Sequence, residues 1–331
     1  MSRLVIVWNV TDNCNGACLF CSYGSNNHPV NPSQALRSTD KDEAVRFGKL
    51  LCDYSRKTNR EVLVSWLGGE PLLWEPVYEL SHVFFNKFGI QLSATTNGIA
   101  LQAKRIRQLA LDCFDEITIS LDGPEEFNDW SRNHQGLFQI VKKNIFLLHE
   151  EKMRQNKKLR IKVNTILMRG NIRYFEGFCN SLCDWGVEAV SFNQLGGRMR
   201  PGFYPENRLL PEQVTIFKSE FLRIKNELFT RGLVVYGNDK YLDWIARTAG
   251  NEKGEMQECN PGKAFLTISS DGLVSPCSST ASDYGVHSKE LKDWSDIDSL
   301  ETIFRNKRLK EQSSACGNCR STQVFGKFES A

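Results

Sequence analysis

No stretch of this sequence is long or apolar enough to cross a bilayer. The apolar run at residues 4–8 is short, and no small-residue cleavage site follows it. That argues against a membrane span or an export signal, and a cytoplasmic location is expected. Charge of one sign is also scarce. Lys and Arg total 42 against 39 acidic residues, a net charge of +3, so no basic field argues for nucleic acid or an anionic membrane. Histidine is sparse, with five in 331 residues and no ligand spacing; His82 reads as packing on a helix face. Internal repeats and low-complexity segments are absent, which excludes solenoids and arrays.

Cysteine, in contrast, is plentiful: there are 11. An odd number without a signal peptide argues against a disulfide framework, and clustering at short spacings in a reducing compartment points to metal or iron–sulfur ligation. Cys14, Cys18 and Cys21 crowd near the start; Cys259, Cys277, Cys316 and Cys319 fall in the last quarter. Cys179 and Cys183, at i and i+4, read as buried thiols of a core helix, and Cys52 and Cys113 as residues of apolar helix faces.

Up to about residue 195, β-like runs alternate with amphipathic helical stretches. Strands are expected at 4–8, 61–67, 91–95, 116–121, 160–167 and 189–193, and helices at 42–56, 76–88, 104–113, 138–155 and 173–185. This rhythm predicts an α/β fold with a parallel sheet, an open partial (β/α)6 TIM barrel over residues 1–200. Its ligand site is expected at the C-terminal strand ends. Residues 201–254 read as a helical linker region, with a long helix over 211–230 that starts at a proline. From 255 to 331 a small cysteine-bearing domain is expected. It holds a hairpin around Asp271-Gly272 and a last helix near 297–310.

Cys14-Asn-Gly-Ala-Cys18-Leu-Phe-Cys21 follows the first strand directly. Three thiolates suit three irons of a four-iron cluster and leave the fourth open to a small chelating molecule, unlike a ferredoxin site closed by four cysteines. A structural zinc site is the alternative, but its fourth ligand is not obvious, His28 being the candidate. Gly68-Gly69-Glu70-Pro71 ends the second strand, Thr95-Thr96-Asn97-Gly98 the third, and Ser120-Leu-Asp122-Gly123-Pro124 the fourth, with Arg132 just beyond.

The CxxxCxxC signature with these followers in this order resembles the radical S-adenosylmethionine (SAM) family. The resemblance implies a [4Fe–4S] cluster on Cys14, Cys18 and Cys21, with SAM on its open iron. One-electron cleavage then gives a 5′-deoxyadenosyl radical that abstracts hydrogen from an unactivated C–H bond. A flavodoxin- or ferredoxin-type protein is the expected reductant. The implied SAM contacts are Phe20 near the adenine; Gly68, Gly69 and Glu70 at the ammonium group; and Arg132 at the methionyl carboxylate. Thr96 and Asn97 are expected to line the cofactor site, and Ser120, Asp122, Asn164 and Asn193 to meet the ribose or the substrate. Arg198, in the Gly196-Gly197-Arg198 loop, is a weaker substrate candidate.

The last four cysteines, with Gly272 five residues before Cys277, resemble the auxiliary-cluster extension of this family. The full seven-cysteine SPASM pattern is broken at Phe325, so the match is to the shorter Twitch type, with one auxiliary [4Fe–4S] cluster. A structural zinc on the same cysteines remains open. The Twitch likeness implies an enzyme that oxidises, epimerises or dehydrates a polar small molecule such as an amino sugar or cyclitol. The alternative is a maturase acting on a precursor peptide. Auxiliary-cluster maturases often carry a recognition domain ahead of the barrel, and here the motif begins at residue 14, which favours the small molecule. A metal-binding scaffold without catalysis is the remaining reading.

Overall fold

A computed structural model describes residues 3–21, 23, 36–196, 201–250, 259 and 262–319. Gly197, Arg198, His28 and Phe325 lie outside the described residues. In chain order the barrel runs β1 (Leu4–Asn9), α1 (Lys41–Thr58), β2 (Val62–Leu67), α2 (Val77–His82), β3 (Gln91–Thr96), α3 (Lys104–Cys113) and β4 (Glu116–Ser120). It continues with α4 (Glu125–Ser131), α5 (Leu137–Arg154), β5 (Arg160–Leu167), α6 (Phe175–Asp184) and β6 (Ala189–Gln194). The elements α7 (Tyr204–Asn207), α8 (Pro211–Thr230), β7 (Val234–Val235) and α9 (Asp239–Ala249) follow. Last come β8 (Phe265–Ile268), β9 (Leu273–Ser275), α10 (Ala281–Tyr284), β10 (Val286–His287) and α11 (Trp294–Lys310).

Side-chain alternation decides how these elements layer. Leu4, Ile6 and Trp8 of β1, Ile117 and Ile119 of β4, Ile161 and Val163 of β5, and Val190 and Phe192 of β6 are buried. They share one large apolar core with the inner faces of α1, α3, α5 and α6. Helices therefore cover that face of a mixed α/β sheet whose first six strands pair in parallel, as a partial TIM barrel requires.

The opposite face is the barrel interior, and it divides in two. On β1 and β2 it is mostly apolar: Val5, Val7 and Leu63 form a small cluster with Leu67 and Phe265, with buried Ser65 between Leu63 and Leu67. On β3 to β6 the alternate positions include Ser93, Thr118, Lys162, Asn164, Ser191 and Asn193, a largely polar wall broken by Ile166 and Ala189.

Two additions extend the sheet beyond six strands. β7 pairs with β6, and the hairpin expected around Asp271-Gly272 forms as β8 and β9, with Gly272 at a φ of 87°. β8 then runs parallel to β1, giving the strand order β10-β9-β8-β1-β2-β3-β4-β5-β6-β7. The cysteine-bearing segment thus joins the barrel sheet at its β1 edge. Its helix α11 packs on α1, where the Arg46 guanidinium donates to the carbonyls of Leu291 and Ser288 at 2.8 and 2.6 Å. Among the described residues no helix is long and apolar enough to cross a membrane.

Candidate functional site

The chain leaves β1 into a loop that local hydrogen bonds fold back on itself. Thr11 Oγ1 accepts from the Asn13 amide at 3.1 Å, the Gly16 amide points at Cys14 Sγ (3.3 Å), and the Cys21 amide donates to the Cys18 carbonyl (3.2 Å). A Cβ on Gly16 would lie 3.4 Å from Cys14 Sγ and 3.8 Å from Cys18 Sγ, so the two sulfurs flank that glycine. Burial raises the Cys14 thiol to about 11 and pushes the Cys18 thiol upward too. A metal or cluster must displace those protons on binding.

The loop is held against the end of β2. Gly69 and Glu70 donate their amides to the carbonyls of Thr11 and Asn13 at 2.7 and 2.8 Å. The approach is so close that a Cβ on Gly69 would stand 2.2 Å from Asn13 O, and one on Gly68 (φ 148°) 2.4 Å from Thr11 O. Only glycine fits there. Glu70 is fully buried and accepts from the Leu72 amide (3.2 Å), Thr96 Oγ1 (2.7 Å) and the Asn97 amide (2.7 Å). Burial nonetheless outweighs these donors and pushes its carboxyl up to about 7. Asn97 Nδ2 reaches Asn15 Oδ1 at 2.7 Å and lies 4.0 Å from Cys14 Sγ. The ends of β1, β2 and β3 thus meet around the first cysteine.

From the other side, the Ser131 carbonyl at the end of α4 accepts from the Leu19 amide at 2.9 Å. The next residue, Arg132, is buried and pairs with buried Asp122 at 2.9 Å. Its Nη1 lies 4.0 Å from Cys18 Sγ, and its guanidinium carbon 5.7 Å from the Phe20 ring centroid. Its Nε is buried with no hydrogen-bond partner. A buried N–H of this kind is costly unless something accepts from it. Asp122 is oriented by the Ile166 amide at 2.8 Å. Two residues the sequence did not single out complete this turn: Asn128 accepts from the Asp122 amide (3.1 Å), and Asn171 donates to the Asp122 carbonyl (2.7 Å). Asn128 lies within the short helix α4 and Asn171 in the connection after β5, and no spacing marks either.

Ser120 ends β4 opposite Asn164, whose Oδ1 accepts from Ser191 Oγ (2.9 Å) and Asn193 Nδ2 (3.2 Å). Asn164, Ser191 and Asn193 sit on the polar wall. Cys52, Cys113 and Cys179 are buried in the main core, with Cys183 against it, and the His82 ring meets Cys113 Sγ at 3.2 Å.

The second cysteine set draws on the segments around β8, β9 and α11: Cys259 precedes β8, Cys277 follows β9, and Cys316 and Cys319 follow α11. Cys259, Cys277, Cys316 and Cys319 lie within mutual electrostatic reach, and burial raises the thiols of Cys259 and Cys316. Arg308 of α11 donates to Cys259 Sγ at 2.7 Å, and Thr280 Oγ1 is 3.2 Å from Cys277 Sγ. Among the described residues, no three His, Cys, Asp or Glu side chains converge as tightly as one metal ion requires. A four-iron cluster asks less of its sulfurs, since each sits on a different iron. The donor sets, thiols alone at both places, fit such clusters, and the unpartnered Arg132 Nε beside the first set fits an anionic ligand there.

Comparison with known proteins agrees with this geometry. The family model for the Radical SAM superfamily matches residues 8–182. An AdoMet-dependent heme synthase of Oleidesulfovibrio alaskensis is 24% identical over 346 residues, covering 97% of this chain and 81% of the synthase. Among solved structures, Streptococcus suis SuiB bound to precursor peptide SuiA has a TM-score of 0.63 at 14% identity, covering 100% of this chain and 67% of SuiB. Native anSMEcpe with bound AdoMet and the Kp18Cys peptide has a TM-score of 0.66 at 16% identity, covering 98% and 88%. At such identities the structural likeness speaks to the fold alone.

Proposed function

The chain belongs to the radical SAM superfamily, and from that membership we propose that it removes a hydrogen atom from a polar small molecule, of amino-sugar or cyclitol type, held in the barrel interior. It is a radical SAM enzyme; SAM and a [4Fe–4S] cluster come with the family. Cluster and SAM together supply the one-electron cleavage that generates the hydrogen-abstracting radical.

The chain's own residues supply binding and orientation. Cys14, Cys18 and Cys21 are the cluster's thiolate ligands, and the Gly69 and Glu70 amides fix their loop by two hydrogen bonds. The carbonyls of the Gly68–Gly69 turn are the acceptors for the SAM ammonium group. Glu70, already receiving three hydrogen bonds, stiffens the turn and ties it to Thr96 and Asn97. Arg132 receives the methionyl carboxylate, with Asp122 keeping its guanidinium charged and aimed. Phe20 walls the adenine. Ser120, Asn164 and Asn193 take the ribose and substrate hydroxyls.

The observation that carries the SAM reading is Arg132: a buried arginine with an unpartnered Nε beside Cys18. The polar wall of β3 to β6 supports a hydroxyl-rich substrate over an apolar one. On this reading residues 1–200 are the catalytic barrel, 201–254 a helical linker and 255–331 a Twitch-type unit. Cys259, Cys277, Cys316 and Cys319 hold its one auxiliary [4Fe–4S] cluster. A flavodoxin or ferredoxin in the cytoplasm is the reductant.

The test is anaerobic incubation of the reconstituted, dithionite-reduced protein with SAM and a panel of aminocyclitols and amino sugars. 5′-Deoxyadenosine should form, and faster with a member of the panel. No product above that of a Cys14/Cys18/Cys21→Ala variant would remove the proposal. A second reading, modification of a precursor peptide, is favoured by one feature. Trp130 of α4 is 46% exposed and packs on Phe127 and Phe203 at 5.3 and 5.8 Å, a shelf suited to a peptide's apolar side chain.

A further inference from the structure

The second cysteine set carries a feature that ligation alone does not require. Its sulfurs are met by side-chain donors, and the strongest of these is charged. Arg308 Nη1 donates to Cys259 Sγ at 2.7 Å, and the same guanidinium is within electrostatic reach of Cys316. Thr280 Oγ1 is 3.2 Å from Cys277 Sγ. Arg308 stands on a fixed element. Phe304, one turn earlier in α11, has no exposed surface, and Lys307 Nζ donates to the carbonyls of Tyr284 and Gly285 at 3.0 and 3.2 Å. The guanidinium is thus held against a sulfur by a packed and tethered helix, where a free surface arginine would turn to water.

The consequence is electrostatic. A centre ligated by four thiolates is anionic, and a one-electron reduction makes it more so. Hydrogen bonds to its sulfurs and a cation beside it stabilise the reduced form over the oxidised one and raise its reduction potential. A structural zinc takes no electron and gains nothing of this kind. Resting on the auxiliary-cluster reading above, we infer that Arg308 is the positioning residue that sets the reduction potential of the auxiliary centre, holding it above the value its four cysteines alone would give.

The experiment uses the full chain in a Cys14/Cys18/Cys21→Ala background, so that any iron signal belongs to the second set. Each protein is reconstituted anaerobically, assayed for iron and zinc, and titrated with dithionite and mediators while the reduced cluster is followed by electron paramagnetic resonance. R308Q should move the reduction equilibrium about tenfold toward the oxidised form, ~59 mV for one electron. R308K, which keeps the charge, should recover most of that shift. T280V removes a neutral donor and should move the potential the same way by less. It keeps the test open if R308Q sheds its iron. An iron cluster whose potential is unchanged in R308Q and in T280V overturns the inference and leaves the cluster reading standing. Zinc in place of iron overturns both.

Discussion

Glu70 has no exposed surface, and its carboxyl is pushed up to about 7 although three donors point at it. The folded protein therefore holds the proton more tightly than the unfolded chain, whose carboxyl titrates near 4.5. The stability this gives is full below about pH 4.5 and is lost as pH rises through about 7. At 1.36 kcal/mol per unit the swing is about 3 kcal/mol. In the cluster-free, SAM-free protein, wild type should lose about that much relative to E70Q between pH 4.5 and 8. Parallel pH–stability curves from urea denaturation would contradict this. Arg132 poses the opposite problem, a buried charge with a built partner. R132A leaves Asp122 buried and unpaired, which should cost about 3–5 kcal/mol, whereas R132A/D122N should recover part of it. Denaturation midpoints of the two variants decide the matter. Both residues were legible in the sequence because each belongs to a compact motif after a strand. Arg308 was not. It stands 49 positions from Cys259, and nothing in its neighbourhood separates it from the solvated charges beside it in α11.

Elements were legible where a single period ran long enough to be read. β1, β4, β5 and β6 show the alternation that sends Ile6, Ile117, Val163 and Val190 to the helices, and α1, α3 and α5 lie within two residues of their expected limits. The helix expected at 76–88 is instead α2 followed by a π-turn over Val83–Lys87. A one-residue widening leaves the apolar spacing nearly unchanged, so the pattern does not reveal it. α4 was missed because seven residues beginning after Pro124 offer one apolar pair, Phe127 and Trp130, and no period. β7 and β10 are two residues each and form by pairing.

Close packing between elements yields two further expectations. Gly48 of α1 faces the Phe84 ring in that π-turn, where an added Cβ would sit 2.4 Å from the ring. Alanine improves helix propensity by about 1 kcal/mol, but overpacking here costs about 1–3 kcal/mol. G48A should therefore lower the melting temperature, and a rise would contradict the packing. G69A drives a Cβ into the Asn13 carbonyl and should displace the cysteine loop. Iron uptake at the first site should fall while the second site keeps its own, a difference that element analysis after reconstitution reads directly.

Across the whole molecule one sheet carries both cysteine sets. The first leaves β1, and the second begins beside β8, which pairs with β1 from Val5↔Phe265 to Trp8↔Ile268. The tip of the β8–β9 hairpin also touches the first loop, since Ser270 Oγ donates to Asp12 Oδ1 at 2.8 Å. The C-terminal segment was expected as a small unit of its own. Its attachment to the barrel edge was not legible, because pairing between strands more than 250 residues apart leaves no local trace in the sequence. The register sets the two sites towards opposite ends of that pairing: the first loop leaves the C-terminal end of β1, whereas Cys277 follows β9, which runs antiparallel to β8.

The central claim is that this chain carries two four-iron clusters. Anaerobic reconstitution followed by iron and sulfide analysis, with Mössbauer spectra, tests it in wild type and in Cys14/Cys18/Cys21→Ala. The account predicts about eight irons falling to about four. About four falling to none, with zinc retained by the last cysteines, would contradict it and leave a radical SAM barrel with a structural metal at its edge.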